Sequence, residues 1–433
     1  MARVKPFRGI RYNLEKIDGD LAQVTTPPYD QINAVGLEAY HQKHEHSYIR
    51  LILARKTERD DARENRYTRA HRTLQHWLRD GVLVQDEGEA FYVYRQTFDV
   101  LGQTYTRTGL VSAVHYEDPE KGLILRHEKT LPKHVDDRLS LLRETHTQFE
   151  SIFLLYDDPE KTVARQVEAT LARPADLEVT DDVGTRHQLW RLADSAALDA
   201  IRRFFDDRVL LIADGHHRYQ TTGLFHQETG QDPDGWVLAT LYAVDDPGIV
   251  ILPTHRVVKN VANFDAATLW SALEKDFTIE PWSGDSESMV AEMRARADRG
   301  HVLGVYEPSR GNAILTLRGA DRLGTSEHSL EWMKLDVAIL HRLILEKVLG
   351  ISMEAVAREG NLEYFRWPKD AVAVVDRGDA QAVFFLNATR PTQVRDLATR
   401  GELMPQKSTD FYPKLLSGLV AFPLRPVTVE SAR

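Results

Sequence analysis

Five consecutive residues, Asp214-Gly215-His216-His217-Arg218, place a carboxylate, a glycine, two imidazoles and a guanidinium at the end of the apolar run 208–213. Residues 219–227 then have helical spacing, so the group reads as a strand, a tight turn and a helix start. Backbone N–H groups and the helix dipole point out of such a turn, which suits a phosphate or another anion. A fold with no ligand seldom concentrates this much polar chemistry at a strand end. As structure alone, Asp214 would cap the helix and Arg218 would pair with a surface carboxylate, which accounts for two of the five residues.

Residues 405–414 hold Lys407, Ser408, Thr409 and Lys414 in a loop fixed by prolines and expected to lead into a short helix. Lysine charge and hydroxyl donors also suit an anion, although the glycine-rich nucleotide loop G-x-x-x-x-G-K-[ST] is not matched. A third group runs from His127-Glu128-Lys129-Thr130 through Lys133 and His134 to Asp136, Asp137 and Arg138. There Glu128 or Asp137 could move a proton or hold magnesium, and Lys133 or Arg138 could meet phosphates. The position of His134 misses the zinc-protease spacing, and a solvated charged loop is the plain alternative. Pro27-Pro28-Tyr29-Asp30 reads as a rigid turn ending in a carboxylate, and Thr254-His255-Arg256 closes an apolar strand. Arg63, Arg66, Arg69 and Arg72 form a basic stripe, but nearby Glu58, Asp60, Asp61 and Glu64 make it a solvated face. His44 and His46 lack further ligands for a metal.

Positioning these groups takes more than one core. At about 100–200 residues per domain, a chain of 433 residues implies at least two lobes. We expect an N-terminal lobe over 1–260 carrying the phosphate-binding turn, and a C-terminal α/β lobe over 261–433 contributing the Lys-Ser-Thr loop. The class is α/β with mixed sheets, the α+β type. Residues 91–98 and 103–116 pattern as a hairpin turning at Leu101-Gly102. Residues 47–53 look strand-like, as do 301–306, 313–318, 372–375 and 382–386. Helices are expected over 161–171, 195–205 and 329–349, the last from the stripe Met333, Val337, Leu340, Ile344 and Val348.

Lys and Arg total 55 against 65 Asp and Glu, a formal charge of −10. That balance opposes a nucleic-acid partner and favours a small molecule. The chain has no cysteine, which excludes disulfides, thiolate metal sites and cysteine nucleophiles. Without a signal sequence or long apolar run it is expected to be cytoplasmic with no membrane partner; homo-oligomerisation is left open.

Pro6-Phe7-Arg8-Gly9, Pro27-Pro28-Tyr29-Asp30, His127-Glu128-Lys129-Thr130, residues 212–219, Pro253-Thr254-His255-Arg256 and Met404-Pro405-Gln406-Lys407-Ser408-Thr409 resemble, in this order, the bacterial and archaeal family long filed as domain of unknown function 1015. The Asp-Gly-His-His-Arg turn is also similar to the phosphate-binding turn of the ParB and sulfiredoxin superfamily. This implies a ParB/sulfiredoxin-like core with an additional α/β lobe. That superfamily includes CTP-hydrolysing partition proteins and free-serine kinases, in which an Asp-Gly-His-x-Arg turn and a separate glutamate serve phosphoryl transfer.

The resemblance therefore implies a small-molecule phosphotransferase, foremost a free L-serine kinase using pyrophosphate or a nucleotide (ADP, ATP or CTP) as donor. On this reading Asp214, His216 and Glu128 are the catalytic set, with Asp214 as base or Mg2+ ligand. Gly215, His217 and Arg218 bind phosphate. Lys407, Ser408 and Thr409 bind the far phosphate on the same cradle, and Lys133, His255, Arg256 and Asp30 give further contacts. A ParB-like nucleotide-hydrolysing regulatory switch is the alternative. Two departures from the family pattern, Glu45-His46-Ser47-Tyr48 and Phe149-Glu150-Ser151, bear on the acceptor pocket.

Overall fold

The computed structural model describes residues 2–128, 130, 132–324, 327–352, 355–356 and 360–427, with the side chains of 132–134 and 320 left aside. The chain forms two compact units. One comprises Met1–Arg126, Thr130–Val250 and Pro413–Arg433, the other His127–Lys129 and Ile251–Tyr412. The C-terminal return to the first unit is a feature that no linear boundary in a sequence can express.

The first unit is organised by a nine-stranded mixed sheet. The expected hairpin is present as Phe91–Val100 and Gln103–His115, paired antiparallel. Leu101 and Gly102 both take positive φ, 54° and 77°, the mirror-image turn that matches strand twist. The Trp236–Ala243 strand pairs antiparallel with Gln103–His115 and parallel with Ile152–Tyr156, which in turn pairs with Leu210–Asp214. All five residues of Ile152–Tyr156 are buried, as expected of a central strand covered on both faces. The helix Ser195–Phe205 lays Ala197, Ile201 and Phe205 into the same core, its first turn capped by Asp194.

The second unit carries a six-stranded antiparallel sheet in the order Phe277–Pro281, Gly311–Leu317, Val302–Glu307, Ala382–Phe385, His255–Val258, Leu362–Phe365. Met289, Val290 and Met293 from the helix Ser286–Arg296, with Ala371, Val374 and Val375 from Pro368–Asp376, bury one core against it.

Several expectations change. Residues 47–53 contain a helix, Ile49–Ile52, because its apolar run buries Ile49, Leu51 and Ile52 together and not on alternate faces. The segment 372–375 lies in the helix Pro368–Asp376. Its β-branched run suggested a strand, but Pro368 starts a helix and the buried residues recur at helical spacing. The long helix 329–349 is broken into Leu330–Met333, Asp336–Ile339 and a wider π turn over Leu340–Glu346, while Val337, Leu340 and Ile344 stay buried. The loop 405–414 ends in a strand, Asp410–Tyr412, and not in a helix. Among the described residues no helix is long and apolar enough to cross a membrane.

Candidate functional site

The strand Leu210–Asp214 slips register between Ile212 and Asp214, and the helix His216–Thr229 begins two residues later. A bulge re-aims the side chain that follows it, and here that side chain is the Asp214 carboxylate. Gly215 joins the two elements at φ 95°, where an added Cβ would lie 2.7 Å from Ile152 Cγ2. The glycine is thus required twice, for its left-handed backbone and for the close approach to the neighbouring strand. It also leaves the helix without a side-chain cap.

Gly215→Ala is expected to lower stability by about 2 kcal/mol or more. Gly230→Ala at the other end of the same helix has a similar φ of 64° but open space around the new Cβ. It should show the conformational part alone. Urea unfolding of the two variants checks this, and equal losses would remove the packing argument.

Asp214 lies between two cations. Its Oδ2 accepts from Arg218 Nη2 at 2.9 Å and its Oδ1 from Lys414 Nζ at 2.9 Å. Burial alone would raise its pKa, but the Lys414 ammonium and the Arg218 guanidinium outweigh burial and hold the carboxyl well below the usual range. Arg218 also donates to the Ser151 carbonyl. His216 is buried and His217 half-buried at the start of the helix.

Next to this turn lies a buried carboxylate, Glu150. Its Oε1 accepts from the Tyr29 backbone N–H at 2.8 Å and from Ser417 Oγ at 3.3 Å, and Arg138 Nη1 stands 3.4 Å from Oε2. Burial pushes its pKa up against the pull of Arg138 and Arg218. Glu150, Arg138 and Arg218 line a cavity of about 50 Å³, room for ordered water. The Arg138 guanidinium stacks on Tyr29 at 4.3 Å and reaches Asp137, which is also bound by Tyr67 and Arg66. Tyr29, Asp30, Tyr67, Asp136 and Asp137 border an open cleft of about 780 Å³. The Pro-Pro-Tyr-Asp turn is therefore fixed by Glu150 and presents Asp30 on the cleft wall.

In the second unit the Lys-Ser-Thr loop is built by the other motifs. His127 Nε2 meets Thr409 Oγ1 at 2.9 Å, and Glu128 Oε1 accepts the Lys407 N–H at 3.0 Å. Arg256, fully buried, donates to the carbonyls of Gln406 at 3.2 Å and Lys407 at 2.9 Å. Ser408 donates to the Pro405 carbonyl, and Thr389 donates to that of Ser408. Lys407 itself sits at φ 57°, a conformation that costs a lysine about 1–2 kcal/mol. As folded, both hydroxyls take part in the loop's own structure, and Glu128 and Arg256 shape its backbone. His255, beside Arg256, is buried with Nδ1 accepting from Leu386 N–H at 3.3 Å. Lys133 falls in the helix Pro132–Thr145, but its side chain lies outside the described residues.

A sequence profile described as a protein of unknown function, DUF1015, matches residues 4–338. The chain belongs to the DUF1015 family. No curated protein sequence matches it. Among solved structures, free serine kinase in complex with AMP is similar at 14% identity, with 69% of this chain and 89% of that chain covered and a TM-score of 0.35. A conserved hypothetical protein from Pyrococcus furiosus shows 15% identity, 69% and 92% coverage and a TM-score of 0.33. A C-terminally truncated SbnI from Staphylococcus aureus shows 11% identity, 68% and 82% coverage and a TM-score of 0.32.

In this DUF1015 protein the structure brings Asp214, Gly215, His216, His217 and Arg218 into one turn of the first unit. It groups Glu128, Arg256, Lys407, Ser408 and Thr409 in the second unit. The sequence places Lys414 in the 405–414 anion loop but does not show that it reaches Asp214, 200 positions away. It noticed Glu150 as a departure from the family pattern without seeing that the residue is buried and anchors Tyr29. Both lay inside segments already marked, but their partners are distant in sequence.

A resident magnesium ion does not fit these side chains. Both oxygens of Asp214 are held by cations, and among the described residues no group of three or more His, Asp or Glu side chains could hold a metal ion.

Proposed function

We propose that this protein is a small-molecule phosphotransferase that moves a phosphoryl group from pyrophosphate or a nucleotide to the hydroxyl of free L-serine. The observation that carries the reading is the turn itself. A bulged strand, a glycine with no room for a side chain and an uncapped helix start surround a carboxylate clamped between Arg218 and Lys414. Phosphoryl transfer asks for placement, positive charge around the moving group and an acceptor for one proton.

Arg218, the imidazoles of His216 and His217 and the first N–H groups of the helix meet the phosphates. The serine oxygen attacks phosphorus, the bond to the leaving phosphate breaks with its electron pair, and the hydroxyl proton passes to a carboxylate. Asp214 is the first choice for that acceptor. Its two cations keep it ionised before the donor binds, and a weak base suits transfer late in the reaction, when the attacking oxygen has become acidic. Asp30, on the cleft wall, is assigned to the amino group of the acceptor. The preference for serine comes from the sequence resemblance.

Phosphorus NMR tests the reading directly, with pyrophosphate, ADP, ATP and CTP each crossed with serine, threonine and homoserine. A phosphate ester that forms only when the amino acid is present supports the kinase. Phosphate release that is indifferent to the amino acid would replace it with the nucleotide-hydrolysing switch.

A further inference from the structure

Arg107 is a fully buried arginine in the middle of the Gln103–His115 strand, with the rings of Phe153 and Tyr242 at 4.8 and 5.1 Å from its guanidinium. A buried cation is expensive unless its donors are used well. Its Nε and Nη2 donate to Gln96 Oε1 at 2.9 and 2.7 Å, and Nη2 also donates to the Pro413 carbonyl. Gln96 passes the contact on, since its Nε2 donates to the Lys414 carbonyl at 3.1 Å. The next residues are held too. Tyr94 Oη accepts the Leu416 N–H at 3.3 Å, and Ser417 exchanges backbone hydrogen bonds with Thr26 at 2.9 and 3.2 Å while its hydroxyl reaches Glu150.

Buried groups from the sheet thus fix the returning chain at residues 413, 414 and 416, and Thr26 and Glu150 hold it at 417. Of these, Lys414 sends its charged end to the Asp214 turn. Two cations flank the Asp214 carboxylate at a helix start that adds positive potential, with Glu150 on the far side of Arg218.

We propose that Lys414 is a second cationic contact of the phosphate-binding turn, beside Arg218, and that Gln96 and Arg107 are positioning residues that act through it. The ligand class is a phosphate with at least two ionised oxygens, such as pyrophosphate or the end of a nucleoside polyphosphate. Asp214 serves as the counter-ion that stores the ammonium until the phosphate takes it over. This rests on the phosphate reading of the turn.

Calorimetric titration of the full chain with pyrophosphate, with and without magnesium, tests it. Lys414→Met should weaken binding about tenfold or more, as expected for loss of a charge-assisted contact, while Lys414→Arg retains most of the affinity. Gln96→Glu keeps an acceptor for Arg107 and removes the donor to the Lys414 carbonyl. It should therefore preserve the melting temperature and still weaken pyrophosphate binding. Unchanged affinity in Lys414→Met, or in a folded Gln96→Glu protein, overturns the proposal. If the unaltered protein does not bind pyrophosphate, the phosphate reading itself fails. If it binds but makes no phosphoserine, the kinase fails and the Lys414 contact stands.

Discussion

Asp214→Asn is expected to remove about 3 kcal/mol of stability and to lower phosphoserine formation by roughly 10²–10⁴-fold. From residue types alone an Asp-to-Asn change in a turn looks harmless to folding. The structure says otherwise, because the neutral amide leaves Arg218 and Lys414, with side chains 11% and 16% exposed, close together without their shared counter-ion. The stability effect has a definite pH dependence. The folded-state pKa of Asp214 is depressed, so its contribution is fully present above the ordinary value of 3.8 and fades as pH falls through the folded value. Urea unfolding at neutral pH should separate variant and parent clearly, and the curves should approach each other in strong acid. A variant as stable as its parent at pH 7 would show that the clamp does not matter to folding. Phosphoserine formation at the parental rate would remove Asp214 from the mechanism.

The second large effect belongs to the other unit. His255 and His341 are buried, and their Nε2 atoms have no hydrogen-bond partner among the described residues. Burial, aided by the charge of Arg256, pushes both imidazoles down to about 3 from an ordinary 6.5. Above pH 6.5 these groups are neutral whether the chain is folded or not, and they add no pH dependence. Below it the unfolded chain takes up a proton at each and the folded chain does not, so stability falls. The slope approaches 1.4 kcal/mol per pH unit for each histidine, about 2 kcal/mol each by pH 5. His341→Phe should show a shallower decline in melting temperature between pH 6.5 and 5. The His255 and His341 ring signals should also fail to titrate in that range by NMR. Parallel melting curves for variant and parent would refute the account.

The contrast between legible and hidden parts follows from the range of the interactions. The Leu101-Gly102 hairpin, the helix Ser195–Phe205 and the strand–glycine–helix turn at Gly215 are set by neighbours in sequence, and each is found where its local pattern put it. Residues 372–375 misled because a β-branched run is also compatible with a buried helix face. The partners of the turn could not be read locally. Lys414 comes from a returning segment, and Glu150 is identified as an anchor only once Tyr29, Arg138 and Ser417 surround it. Arg107 looks like an ordinary strand-surface residue until Pro413 and Gln96 are seen to use its donors.

The return of the C-terminal segment also inverts the order of manufacture. Strands of the first unit leave the ribosome early, yet Lys414, the Ser417–Thr26 and Ala421–Ile10 bridges and the Phe422–Gln148 pairing are supplied only after residues 251–412 have been translated. The part begun first is thus completed last. A chain cut short before these residues would carry the Asp-Gly-His-His-Arg turn but neither its distant lysine nor the pairings that tie the C-terminal segment to the first unit. Translation through Lys414 is therefore needed before Asp214 has both of its cations.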